Sequence, residues 1–197
     1  VPASAAVPSN VTQTVLAKLK KASVAELPLQ GFALVAGAPI ETRLLYTQAS
    51  LDYAAKHHPT ALRSFLVSLT TAYPELATEA VLAAAKASPA QLPTLVSAVA
   101  AAAPSQMPDA LAALSHTFPE SRAAIISAAE KVYPDLKPQI AAAVALGAQS
   151  NYQPRGYPPE AKPPIGGNNP PPSEGERPDN YGQSIRKGKG PKDYGRP

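Results

Sequence analysis

PTALRSFLVSLTTAY (59–73), PELATEAVLAAAKAS (74–88), PAQLPTLVSAVAAAA (89–103), PSQMPDALAALSHTF (104–118), PESRAAIISAAEKVY (119–133) and PDLKPQIAAAVALGA (134–148) are the six consecutive segments that decide the fold. Pro recurs at 59, 74, 89, 104, 119 and 134, and the spacing of fifteen never slips. A fixed period is the mark of a repeat architecture, in which each unit buries its apolar face on a neighbour.

Counting each Pro as position 1, the larger apolar residues fall at positions 4, 7, 8 and 11, as in Leu62, Phe65, Leu66 and Leu69. The third unit repeats this with Leu92, Leu95, Val96 and Val99. Such i, i+3, i+4, i+7 spacing draws one stripe along an α-helix. Position 4 departs from the pattern in the last two units, where Arg122 and Lys137 stand. Position 10 is always small (Ser68, Ala83, Ala98, Ala113, Ala128, Ala143), so each helix carries a narrow side that admits another helix closely. Position 14 is small in most units, including Ala72, Ala87, Ala102 and Gly147.

Pro lacks an N–H and drives the preceding residue out of helical geometry. The expectation is one helix of about ten to twelve residues per unit, closed by a tight connection. Glu75, Glu120 and Asp135 beside their Pro suit a first helical turn. Pro93, Pro108 and Pro138 at position 5 instead predict a restart there, after a turn or a short 3₁₀ segment. Helices this short need tertiary packing, so the units should pair as hairpins and stack. The fold class is therefore all-α: a short-helix α-solenoid of six fifteen-residue Pro-punctuated repeats. Its logic is similar to that of tetratricopeptide or HEAT arrays, although the units are shorter and lack the signature residues of those families.

Four segments follow. Residues 1–9 are an N-terminal extension, 10–58 a helical cap, 59–148 the repeat domain, and 149–197 an extended arm without regular structure. Within the cap, Asn10 is placed to cap a helix bearing Val11, Val15, Leu16 and Leu19. Gly31 to Gly37 encloses an apolar segment, either a buried connection or a helix fragment, and Pro39 opens a longer helix ending near His58. The arm holds 11 Pro and 8 Gly, too little aliphatic surface to form a core. It also carries Tyr152, Tyr157, Tyr181 and Tyr194, half of the eight Tyr in the chain. Tyr joins a rigid apolar ring to a polar tip, a combination suited to anchoring on a partner. These Tyr, with Arg155, Arg186, Lys187 and Arg196, are the expected partner-binding residues.

The remaining composition narrows function by exclusion. The absence of Cys removes disulfide scaffolds, thiolate metal sites and cysteine nucleophiles. The net charge of +4 does not gather on the repeats, which carry five basic and six acidic residues; the arm carries eight and five. A dedicated nucleic-acid binder concentrates Lys and Arg on its domain, so nucleic acid is not expected as a partner. No run approaches the length of a membrane span, although peripheral membrane or cell-envelope association remains open. His57 and His58 adjoin at a helix end and His116 stands apart, a poor pattern for a metal; His116 reads as a surface residue. No phosphate loop, nucleophile elbow or dinucleotide fingerprint occurs, and Glu75, Glu79, Glu120 and Glu130 read as a solvated helix face. The Asn10-Val11-Thr12 sequon is too short a match to carry weight. The start at Val1, small and Ala-rich, reads as a terminus left by signal-peptide removal, hence a periplasmic, secreted or cell-surface protein.

The expectation is a non-catalytic structural or accessory subunit of a larger extracytoplasmic assembly, without cofactor. Its partners would be other protein subunits, held by the solenoid surface and the arm. The alternative is an adaptor that takes a peptide or ligand on the concave face of the repeats.

Overall fold

A computed structural model describes residues 8–153. Nine α-helices occupy them, with no strand among the described residues. They are α1 (Ser9–Leu19), α2 (Leu27–Ala36), α3 (Ile40–His57), α4 (Leu62–Ala72), α5 (Ala77–Ala87), α6 (Leu92–Ala102), α7 (Met107–Thr117), α8 (Arg122–Val132) and α9 (Lys137–Gly147).

Every repeat helix starts at position 4, whether or not a second Pro follows. In five units, positions 1–3 form a 3₁₀ turn (Pro74–Leu76, Pro89–Gln91, Pro104–Gln106, Pro119–Ser121, Pro134–Leu136). Residues 59–61 form an ordinary turn instead. The two starts expected from sequence thus reduce to one. Pro93, Pro108 and Pro138 sit in the first helical turn, where an N–H has no intrahelical partner to lose.

Position 15 closes each unit. Tyr73, Ser88, Ala103, Phe118 and Tyr133 hold φ between −141° and −124° and ψ between 67° and 78°, outside the helical region as a following Pro requires. Their N–H groups still donate to position 11, as Tyr73 does to Leu69 at 2.8 Å. Their carbonyls accept from position 3, as Tyr73 does from Leu76 at 3.0 Å. One non-helical residue therefore turns the chain with its backbone bonds made.

The helices form two rows, α1–α3–α5–α7–α9 and α2–α4–α6–α8, with alternate helices packed side by side and consecutive helices meeting across the rows. Corresponding positions face each other between alternate helices, so these run parallel. Gln91 Nε2 donates to Pro59 O at 3.2 Å, and Ser97 Oγ to Ala128 O at 3.2 Å. This is the stacked short-helix solenoid expected from the period.

Burial follows the stripe and then fades at the end. Positions 7 and 11 are buried in all six units, from Phe65 and Leu69 to Ile140 and Val144. Positions 4 and 8 are buried through the first four; after that Arg122 and Ile126 are half-buried, and Lys137 and Ala141 exposed. The departure at position 4 thus marks the side on which each helix receives the next unit, and among the described residues α9 is the last helix. Position 10 narrows as expected for Ala98, Ala113, Ala128 and Ala143, which are buried, whereas Ser68 is exposed.

Upstream, α1 begins after Pro8 rather than under an Asn10 cap; Asn10 Oδ1 accepts from the next N–H at 2.8 Å. Gly31 lies inside α2, where a Cβ would stand 2.5 Å from the Phe65 ring. Helix α3 contains a further unit that the Pro count conceals. Stepping back fifteen residues from Pro59 puts position 1 at Leu44, and Thr47, Ser50, Leu51 and Ala54 then occupy positions 4, 7, 8 and 11. All four are buried. His58 at position 15 has φ −142° and ψ 62°, matching its later counterparts.

Candidate functional site

The junction between α7, α9 and the start of the arm gathers a dense set of specific contacts among the described residues. Ser115 Oγ, buried, lies 3.0 Å from Ala112 O and 3.1 Å from Val144 O. The Arg122 Nε–H donates to Ser115 O at 3.2 Å. Gly147 lets the two helices touch, since a Cβ there would stand 2.0 Å from Ala112 O. His116 Nδ1 lies 3.3 Å from Gly147 O, the position of an N–H donor at the carbonyl end of α9. The Tyr152 ring lies 5.4 Å from the His116 ring and packs against the buried core. His116 is exposed, as read from sequence, and it also links two helices and meets the Tyr152 ring.

Tyr152 is the expected partner-binding residue that the described residues include, and it lies against its own chain at the end of α7. Tyr157, Tyr181, Tyr194, Arg155, Arg186, Lys187 and Arg196 lie outside the described residues.

Two surface depressions stand out among the described residues. One, of about 510 Å³, is lined by Leu16, Ala17 and Lys20 of α1 and Tyr53 and His57 of α3. His57 stacks on Tyr53 at 4.5 Å, while the His58 N–H donates to Ala54 O at 2.8 Å. Among the described residues no three potential metal ligands cluster. The other, of about 320 Å³, lies between α6 and α8 and is lined by Pro93, Thr94, Ser97, Ala124, Ser127, Ala128 and Lys131.

Helix α3 carries buried polar atoms that the fold leaves unpaired. Arg43 Nε, Thr47 Oγ1 and Ser50 Oγ are buried without a hydrogen-bond partner. They follow one stripe of the helix, and the Arg43 guanidinium stacks 4.9 Å from the centre of the Tyr73 ring. In α5, burial pushes the Glu79 carboxyl above its ordinary value of 4.5, and Lys86 partly opposes this. No described helix is long and apolar enough to cross a membrane. Comparison with protein-family models, curated proteins and solved structures gives no match.

Proposed function

We propose that the chain is a non-catalytic structural or accessory subunit of a larger extracytoplasmic assembly. The helical stack is its body, and residues 154–197 are a strap that engages neighbouring subunits through Tyr157, Tyr181 and Tyr194, with Arg155, Arg186, Lys187 and Arg196. The observation that carries this reading is the seating of Tyr152 on His116 at the end of α7. There a Tyr of the segment after the repeats packs against a helix of its own chain, a contact of the kind that the other Tyr would make on a neighbouring subunit. Pro restricts φ before docking, so such a strap loses less entropy than a fully flexible one.

Removal of residues 154–197 should leave the helical circular dichroism and melting of the body unchanged while abolishing co-purification with its partner subunits. Undiminished assembly by the truncated chain would defeat the proposal. The depression between α6 and α8, with Thr94, Ser97, Ser127 and Lys131 around it, favours the second reading, an adaptor for a peptide. Under that reading Lys131→Glu with Ser127→Leu, rather than truncation, should abolish capture.

A further inference from the structure

Four large apolar side chains stand exposed among the described residues: Leu16 (41%), Val24 (48%), Leu29 (71%) and Leu146 (46%). Three of them fall within residues 16–29, the last turns of α1, the connection and the first turn of α2. Lys18, Lys20 and Lys21 occupy the same corner and are exposed. Its one acidic residue, Glu26, is tied into the turn, accepting from Ser23 N–H at 3.1 Å and Ser23 O–H at 2.9 Å. Lys20 also borders the apolar groove over Tyr53 and His57, which no carboxylate lines.

Exposed aliphatic residues and Lys in one segment differ from the usual centre of a protein interface, which is enriched in aromatics, Met and Arg and depleted in Lys. They match the bilayer boundary. There aliphatic side chains enter the acyl region, and Lys stems lie along it while the ammonium reaches phosphate. Anionic lipid adds a favourable term for each lysine near the surface.

We propose that the α1–α2 corner binds an anionic phospholipid surface, with Leu16, Val24 and Leu29 entering the acyl boundary and Lys18, Lys20 and Lys21 on the phosphates. This goes beyond the subunit reading and does not depend on it, because it requires neither the arm nor a protein partner.

The test is sedimentation of the full chain with vesicles of phosphatidylcholine alone and of phosphatidylcholine mixed with phosphatidylglycerol. The expected result is binding to the mixed vesicles only, weakened by salt. Lys20→Gln with Lys21→Gln should weaken it roughly 25-fold, from about fivefold per lysine. Leu29→Ser should weaken it at least about tenfold. All three sites are exposed, so circular dichroism should not change, and Leu146→Ser at the far end should bind like the parent. Failure to bind mixed vesicles would overturn the proposal, as would equal binding to both kinds. Unchanged binding by the corner variants would also overturn it, placing the attraction on the basic run near Arg186 and Lys187.

Discussion

Helix α3 and the six Pro-headed units solve the same packing problem with different chemistry. Helix α3 and the first four of these units carry buried residues at positions 4, 7, 8 and 11, and each ends in a non-helical residue before Pro. In α3, however, Leu44 stands where Pro would break the helix, so one helix runs from Ile40 to His57. Its positions 4 and 7 are Thr47 and Ser50 rather than the Leu, Phe, Ala or Met buried at those positions in α4 to α7. Punctuation and stacking are therefore separable. Pro decides where a helix starts, and the apolar register decides what it packs on.

The largest effect should come from imposing the repeat's punctuation on α3. Leu44→Pro removes the N–H of residue 44 in mid-helix and sets the ring against the carbonyl of Ile40. It should cost about 3 kcal/mol, read as a lowered urea midpoint. Tolerance of this change would mean that residues 40–43 contribute little and that α3 is already an ordinary unit.

Next comes the narrow side. Ala113, fully buried, and Ser68, exposed, share position 10. Ala113→Leu should overpack the contact between alternate helices and cost about 1–3 kcal/mol. Ser68→Leu should stay within about 0.5 kcal/mol. Equal effects at the two sites would show that the position, rather than its burial, matters.

Much of this was legible in sequence, because Pro spacing and the apolar stripe are local signals. The common helix start at position 4 was not. A Pro at position 1 suits a helical first turn as well as a 3₁₀ turn, and the choice is made by the position-15 carbonyl accepting from position 3. The repeat inside α3 was hidden because Leu44 replaces the marker and hydroxyls replace the stripe. Gly31 within α2 reads as a breaker until the Phe65 ring is seen against it. His116 could be connected to Gly147 only by knowing that alternate helices run parallel, which brings position 13 beside position 14 two units later.

A smaller effect, of opposite sign, is expected from the hydroxyls. Thr47 and Ser50 lie in a buried stripe with their side-chain oxygens unpaired. A buried polar group without a partner costs about 1–3 kcal/mol, so its removal should recover part of that. Thr47→Val keeps the shape and should raise stability by about 1 kcal/mol. Ser50→Ala should be neutral or slightly stabilising. A clear loss in both variants would show that the two hydroxyls are satisfied in solution, for example by an internal water.

The smallest effect concerns Glu79 at position 6, where Ser64, Thr94, Ala124 and Gln139 are exposed and Asp109, like Glu79, is half-buried. Glu79 is half-buried, and desolvation, partly opposed by Lys86, raises its pKa above 4.5. A carboxyl with a raised folded pKa binds more protons in the folded state than in the unfolded one. Stability therefore falls as pH rises from about 4.5 through the folded value, and stays lower above it. Glu79→Gln removes that titration while keeping the side chain's shape. Its melting temperature should exceed the parent's at neutral pH, and the gain should shrink to nothing once the medium is acid enough to protonate the parent's carboxyl in both states. A gain equal at neutral and acid pH would assign the effect to packing. A loss at neutral pH would mean that the carboxylate has a favourable partner, Lys86 being the first candidate to delete.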